Sequence, residues 1–335
     1  MTGPVPIVLM QAAKRARPEL GAELEASGEI LVVAIARDVD AAAKAVAARG
    51  ARAVVLVTDD AHAAALVMSL MQLVRVPVIA MGQTTSGVLS AMAAGAVEGM
   101  LAGAPLPQLV ESIRLMSQVK VVRGFPTAPR PQRRSAFAGI PTAGNAAPRL
   151  VAIGASTGGP AALAGILGQL PANFPAAFVI AQHMPSDYDV PFARWLSEVT
   201  KLEAKVSQDG ETLRTGRAYI PRGGHDLALL PTGALQNLVP QARGPVPSVD
   251  RLLESASRVS GFALFGIILT GMGRDGMVGL KAMRLAGAVT MTQDKESSVI
   301  SSMPEAALQN GGAHIALPPS GIAQQLMAWV GGEVS

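Results

Sequence analysis

LVAIGASTGGP, residues 150–160, places four apolar residues in front of a serine framed by glycines. A short apolar run followed by Gly-rich punctuation reads as a buried strand turning sharply into a helix. Two chemistries use such a turn. Backbone N–H groups could cradle a phosphate, or Ser156 could stand on the turn as a nucleophile. The phosphate reading is the poorer, because neither G-K-[ST] nor G-x-G-x-x-G is present. Gly154-Ala155-Ser156-Thr157-Gly158 does fit G-x-S-x-G, whose glycines relieve the turn and whose next N–H points to where an oxyanion would form. Ser156 or Thr157 as a simple helix N-cap is the competing reading.

Outward from that stretch the same alternation continues. AAFVIAQH (176–183) and FGIILTGMG (265–273) are apolar runs followed by helix-compatible segments, and AVTMT (288–292) and AHIAL (313–317) extend the set. Residues 204–239 hold shorter strand-like pieces and turns, expected as a small β insertion. Upstream, PIVLM (6–10), ILVVAI (30–35), AVVLV (53–57), VPVIAM (76–81) and a weaker run at 97–101 alternate with helical spacing at 38–49, 60–74, 84–94 and 105–118. Both halves therefore predict α/β domains with doubly wound parallel sheets, the first a (βα)5 unit. The stretch GFPTAPRPQRRSAFAGIPTAGNAAP (124–148) lacks either periodicity and reads as a linker. The expected division is 1–123, linker 124–148, and 149–335.

Half the residues are apolar and 16% charged, so large cores are expected and global disorder is not. No run reaches the roughly 18 apolar residues of a membrane span, and the N-terminal apolar run is too short for a signal peptide. A cytoplasmic protein without membrane insertion is expected. Without cysteine, thiolate metal sites and cysteine nucleophiles are excluded. The formal charge of +4 is matched by Arg130, Arg133, Arg134 and Arg149 in and beside the linker. The rest sums to zero, which argues against nucleic acid as a partner.

A serine nucleophile needs a base. Of four histidines, His62 lies in the first domain, His314 reads as a satisfied strand residue, and His225 as a turn residue that could line a site. His183 follows Phe178–Ala181, at the same strand end as Ser156. Asp275, in GMGRDG just beyond Ile267–Leu269, could fix the imidazole tautomer. Its competing reading is an N-cap for residues 276–285. Joint placement favours chemistry: all three fall at the carboxyl ends of separate strands, where open parallel sheets build their sites. The order Ser, His, Asp differs from the α/β-hydrolase order Ser, Asp, His.

Residues 149–332 resemble the catalytic domain of the chemotaxis receptor methylesterases, the CheB family. The resemblance runs through IGASTGGP (153–160), AQHMP (181–185), IPRGGHDLAL (220–229), PSVDRLLESAS (247–257), ILTGMGRDGMVGLKAMRLAG (268–287) and QDKESSVISSMPEAA (293–307). It implies Ser156 as nucleophile, His183 as base and Asp275 as its orienting partner, with the N–H groups of Thr157 and Met272 forming the oxyanion hole. It further implies hydrolysis of glutamate γ-methyl esters on the cytoplasmic helices of methyl-accepting chemoreceptors, with glutamine deamidation as a secondary activity. No metal or organic cofactor is required.

In that family an N-terminal phosphoreceiver usually restrains the enzyme, and residues 5–120 resemble its fold without its chemistry. Met10-Gln11-Ala12 stands where two acidic residues would bind Mg²⁺. Thr58 takes the phosphoacceptor position, with Asp59 and Asp60 adjacent; Gly82 replaces the expected Ser or Thr (Thr84 is near), and residues 102–104 lack the Lys. A degenerate receiver without aspartyl phosphorylation is expected, leaving a regulatory protein bound to this domain or constitutive activity as the alternatives. The rival to an enzyme is a non-catalytic regulatory or binding module of a chemosensory array.

Overall fold

The computed structural model describes residues 3–13, 17–118, 147–241 and 244–331. Most of the linker expected over 124–148 lies outside the described residues. The chain divides into two compact units, Met1–Gly124 and Phe125–Ser335.

In the first unit β1 (Val5–Gln11), α1 (Leu20–Ala26), β2 (Ile30–Ala36), α2 (Val39–Arg49), β3 (Ala53–Val57), α3 (Asp60–Leu73), β4 (Val78–Gly82), α4 (Thr85–Ala93), β5 (Glu98–Leu101) and α5 (Leu106–Met116) alternate along the chain. The strands pair in parallel in the order β2-β1-β3-β4-β5. Central β3, AVVLV, is buried throughout, as expected for a parallel strand covered on both faces. The five strands fall on the runs read from the sequence. Helix α1 does not; its seven residues bury only Leu20, Gly21 and Leu24, too few turns for a helical period to show.

The second unit contains β6 (Arg149–Ala155), α6 (Gly159–Leu167), β7 (Ala177–Gln182), α7 (Asp189–Val199), β8 (Glu203–Val206), β9 (Arg217–Ile220), β10 (Asp226–Leu229) and β11 (Leu235–Leu238). It continues through α8 (Val249–Ala256), β12 (Ala263–Ile268), α9 (Met277–Leu285), β13 (Val289–Gln293), α10 (Ser302–Gln309), β14 (Ile315–Leu317) and α11 (Pro319–Gly331). Its main sheet runs β14-β13-β12-β6-β7-β9-β8, with every pair parallel. The expected β insertion is therefore smaller than the sequence suggested. β8 and β9 extend the main sheet, and only β10 and β11 form a separate antiparallel pair. Strands of four residues are too short for their pattern to distinguish a hairpin from a parallel edge.

The chain enters this sheet at its middle strand, β6, builds outward through β7 to β8, then returns to lay down β12, β13 and β14 on the other side. That reversal puts a crevice at the carboxyl ends beside β6. Alternation along the strands supplies a core on each face. Leu150, Ala152, Val179 and Ala181 join Val249, Leu252 and Leu253 of α8, Leu280 and Met283 of α9, and Met303 of α10 in one buried cluster. On the other face the Phe265 ring meets Trp329 of α11 edge-on, 5.2 Å between centroids. Each fully buried Leu, Ile or Phe side chain contributes roughly 1.5–3 kcal/mol.

Close approaches bring α8 to the carboxyl edge. A Cβ on Gly154 would overlap the side chain of Val249, and one on Gly276 would lie 2.5 Å from it. A Cβ on Gly279 would sit 2.6 Å from that of Leu253. These glycines let Val249, the first residue of α8, drop onto the end of β6, so that the N-terminus of α8 opens on the crevice.

Candidate active site

Ser156 follows β6, His183 follows β7 and Asp275 lies beyond β12; these are three adjacent strands with β6 in the centre. The backbone ties their loops together. The Ser156 N–H donates to Thr270 O (3.0 Å), and the His183 N–H to Ala155 O (3.0 Å). Gly158 adopts φ +79°, a left-handed conformation that favours glycine, and α6 begins at the next residue. Ser156 lies at the half-buried mouth of the turn.

His183 Nε2 lies 2.9 Å from Asp275 Oδ2, with the two side chains only 14% and 11% exposed. Asp275 also accepts from the N–H groups of Val249 (2.7 Å) and Asp250 (2.9 Å) at the start of α8. The sequence left Asp275 open as a cap for the helix that follows it. The structure makes it an anion at a helix N-terminus, but at that of α8; Gly276 precedes α9, with no side-chain cap bond. Asp250 completes a reciprocal arrangement, its Oδ1 accepting from the Gly279 N–H of α9 at 2.7 Å. Each carboxylate thus serves the partner helix, where unpaired N–H groups and the helix dipole favour negative charge.

Burial pushes the Asp275 carboxyl up. The hydrogen bonds from His183, Asp250 N–H and Val249 N–H, with the nearby imidazole, outweigh it and hold the carboxyl below its ordinary range. Asp275 is therefore ionised at neutral pH, so the His183 nitrogen facing it carries the proton. Nε2 is that nitrogen, which leaves Nδ1 with the lone pair. Asp250 shifts the other way: burial raises it, the Gly279 N–H lowers it, and the Asp275 charge raises it further.

Thr270 is fully buried, and its Oγ1 donates to Thr157 O (3.0 Å) and accepts from Ile300 N–H (3.0 Å). Gln293, likewise buried, accepts from Thr270 N–H (2.9 Å). Gly271 packs directly on the serine, since a Cβ there would lie 2.6 Å from that of Ser156. Among the described residues neither Thr157 N–H nor Met272 N–H donates a hydrogen bond.

Neither His225 nor His314 hydrogen-bonds to Ser156, His183 or Asp275. His225 contacts its own turn through Gly223 O (2.9 Å) and Arg222 (2.6 Å). His314 Nδ1 accepts from Thr290 N–H (3.1 Å), and burial, then the Arg284 charge, lowers its pKa. His62 is exposed on α3. Sequence reasoning missed Gln182, Thr270, Gln293, Ser302 and Ser248, whose Oγ caps α8 by accepting from Arg251 N–H (3.2 Å). Their only common signal is a polar side chain at or just beyond a strand end, or at a helix start.

At the carboxyl edge of the first unit, Thr58 is fully buried, and its N–H donates to Met81 O (3.1 Å). Asp59 immediately precedes α3. Asp60 Oδ1 accepts from the N–H groups of Gln83 (2.9 Å) and Thr84 (3.2 Å). Gln11 donates to Arg17 O (2.7 Å), and the Arg17 guanidinium donates to Ala102 O (2.8 Å). Among the described residues no three His, Asp or Glu side chains gather as a metal site. No described helix is long and apolar enough to cross a membrane.

The second unit is a doubly wound α/β domain that brings a glycine-framed serine, a histidine–carboxylate pair and unpaired backbone N–H groups to one carboxyl edge. This chain belongs to the CheB methylesterase family, whose family model matches residues 151–326. It is 43% identical over 201 residues to protein-glutamate methylesterase/protein-glutamine glutaminase 3 of Myxococcus xanthus (strain DK1622), covering 60% of this chain and 54% of that protein. It is 40% identical over 268 residues to the protein-glutamate methylesterase FrzG of Myxococcus xanthus, covering 76% of this chain and 78% of FrzG. The chain thus spans about half the length of the first relative and over three quarters of the second. The crystal structure of the Thermotoga maritima CheB methylesterase catalytic domain matches 53% of this chain and 97% of its own, at 34% identity and a TM-score of 0.50.

Proposed function

We propose that the chain is a serine hydrolase that removes methyl groups from glutamate γ-methyl esters on chemoreceptor helices. The observation that carries this reading is the His183–Asp275 pair (2.9 Å) on strands flanking the one that presents Ser156. Family membership and the names of the Myxococcus relatives support the substrate class.

His183 Nδ1 takes the proton of Ser156 as Oγ attacks the ester carbonyl, while Asp275 steadies the imidazolium through Nε2–H. The oxyanion is received by the N–H groups of Thr157 and Met272. His183 returns the proton to the leaving methoxide, and methanol departs. A water, deprotonated by His183, then hydrolyses the acyl-enzyme to free glutamate and serine. A glutamine side chain would pass through the same acyl-enzyme with ammonia leaving, which makes deamidation a second activity of the same residues.

The first unit is read as a receiver-like domain that does not use aspartyl phosphorylation. In support, Asp60 is bonded to the backbone after β4, and Met10, Gln11 and Ala12 at the end of β1 carry no acidic group. Incubating a methylated receptor fragment with wild type and with Ser156→Ala tests the hydrolase reading. Methanol from wild type alone is expected. Equal release from both would rule out the serine mechanism, and none from either would favour the non-catalytic binding module.

A further inference from the structure

The two proposed oxyanion donors share a feature that their own N–H groups do not reveal. A peptide is planar and trans, so an N–H points opposite to the C=O of the preceding residue. The direction of Thr157 N–H is thus fixed by Ser156 O, and that of Met272 N–H by Gly271 O.

Each of these carbonyls is gripped by one side chain and one backbone N–H. Ser156 O accepts from Gln182 Nε2 (2.9 Å) and from Gly159 N–H (2.8 Å). Gly271 O accepts from Ser302 Oγ (3.0 Å) and from Met303 N–H (3.1 Å). Gln182 is 2% exposed, and its Nε2 also donates to His183 O at 3.0 Å. Two carbonyl neighbours require a donor, which fixes the orientation of the amide. The Ser302 hydroxyl accepts from Gly273 N–H (3.0 Å) while donating to Gly271 O, so it fixes the peptides on both sides of Met272.

We propose that Gln182 and Ser302 are positioning residues that aim the two oxyanion donors by holding the carbonyl at the far end of each peptide. Hydrogen bonding to a carbonyl also polarises its peptide, so each N–H becomes a stronger donor. The inference rests on the serine-hydrolase reading above. It makes the hole a preorganised one, already oriented before an oxyanion forms.

A fluorophosphonate probe tests this without any methyl ester. Ser156 Oγ bonds to phosphorus, the P–F bond breaks, fluoride leaves, and the serine proton passes to His183. The charge building on the phosphoryl oxygen falls in the same hole. The full chain labels at Ser156, followed by intact-protein mass spectrometry on the folded fraction from size exclusion. Loss of a whole oxyanion donor costs about 100- to 1,000-fold. Removing one of two grips is expected to slow labelling about tenfold in Ser302→Ala and in Gln182→Met, with Ser302→Thr restoring most of the rate.

With a γ-methyl-ester peptide, Ser302→Ala should lower kcat and leave KM and the pH midpoint unchanged, because Ser302 touches neither His183 nor Asp275. A general loosening of the site would move all three. A labelling rate within about twofold of wild type in either variant overturns the role of that residue. Wild type that does not label at Ser156 sinks the nucleophile reading and this inference together. Labelling without ester hydrolysis sinks only the substrate reading.

Discussion

Asp275→Asn should uncouple the charge of the site from its shape, and its two consequences have different magnitudes. The carboxylate accepts from His183 and Val249 N–H through Oδ2, and from Asp250 N–H through Oδ1. An asparagine keeps one acceptor atom and turns an NH₂ towards donors at the other. With the NH₂ at Oδ1 it opposes only Asp250 N–H, and what is lost is the charge that steadies the imidazolium. With the NH₂ at Oδ2 it opposes Val249 N–H and obliges His183 Nε2 to become the acceptor. The imidazole proton then moves to Nδ1, the nitrogen assigned to the serine, and the base is lost. A tautomer error of this kind lowers kcat by about 10⁴-fold.

Stability falls by less. About two hydrogen bonds to a charged acceptor disappear, at about 1.5–3 kcal/mol each, partly offset because a neutral amide is cheaper to bury. A net loss of about 3 kcal/mol at pH 7 is expected. With a urea m-value of about 2 kcal/mol/M, the midpoint moves down by about 1.5 M. The only two tryptophans, Trp195 and Trp329, both lie in the second unit and are buried, so tryptophan fluorescence reports that unit's unfolding.

The sign of the pH dependence follows from the lowered Asp275 pKa. A carboxyl depressed in the native state stabilises fully above its unfolded value and loses that contribution as pH falls through the folded one. The gap between wild type and Asp275→Asn should therefore be widest near neutrality and shrink below about pH 4. A gap of the same size at pH 7 and pH 3, or a kcat within about tenfold of wild type, would refute the reasoning.

Gly271→Ala places a Cβ 2.6 Å from that of Ser156, so the serine or the oxyanion loop must shift. A displacement near 1 Å costs about 100-fold, and methanol release should fall by at least that with far-UV circular dichroism unchanged. In the first unit, small phosphodonors with Mg²⁺ should leave no acyl phosphate at Asp59 or Asp60; peptide mass spectrometry that finds one would overturn the degenerate-receiver reading. Asp60→Ala strands the N–H groups of Gln83 and Thr84, and should cost that unit about 1–3 kcal/mol by hydrogen exchange of α3 and β4.

Strand order along the chain, and the end of each strand where chemistry gathers, are local matters of pattern. The apolar runs before Ser156, His183 and Asp275 predicted strands because parallel strands are apolar on both faces, and the residue after each run must lie at the carboxyl end. The residue types at the ends of β1, β3, β4 and β5, on which the proposal of a degenerate receiver rests, are likewise local to the chain. Sequence alone did not show that Asp275 faces the start of α8 rather than that of α9, because 25 residues and a strand separate it from Asp250. Nor did it show that one amide, Gln182, holds the carbonyls of Ser156 and His183, or that Ser302 spans Met272. Those contacts depend on the three-dimensional approach of helices and loops, set by glycines at 154, 271, 276 and 279 that let neighbours close in. The sequence by itself determined which strands, which strand ends and which titratable groups. Tertiary packing alone decided their partners, because a hydrogen bond depends on distance and direction across the sheet, and periodicity along the chain carries neither.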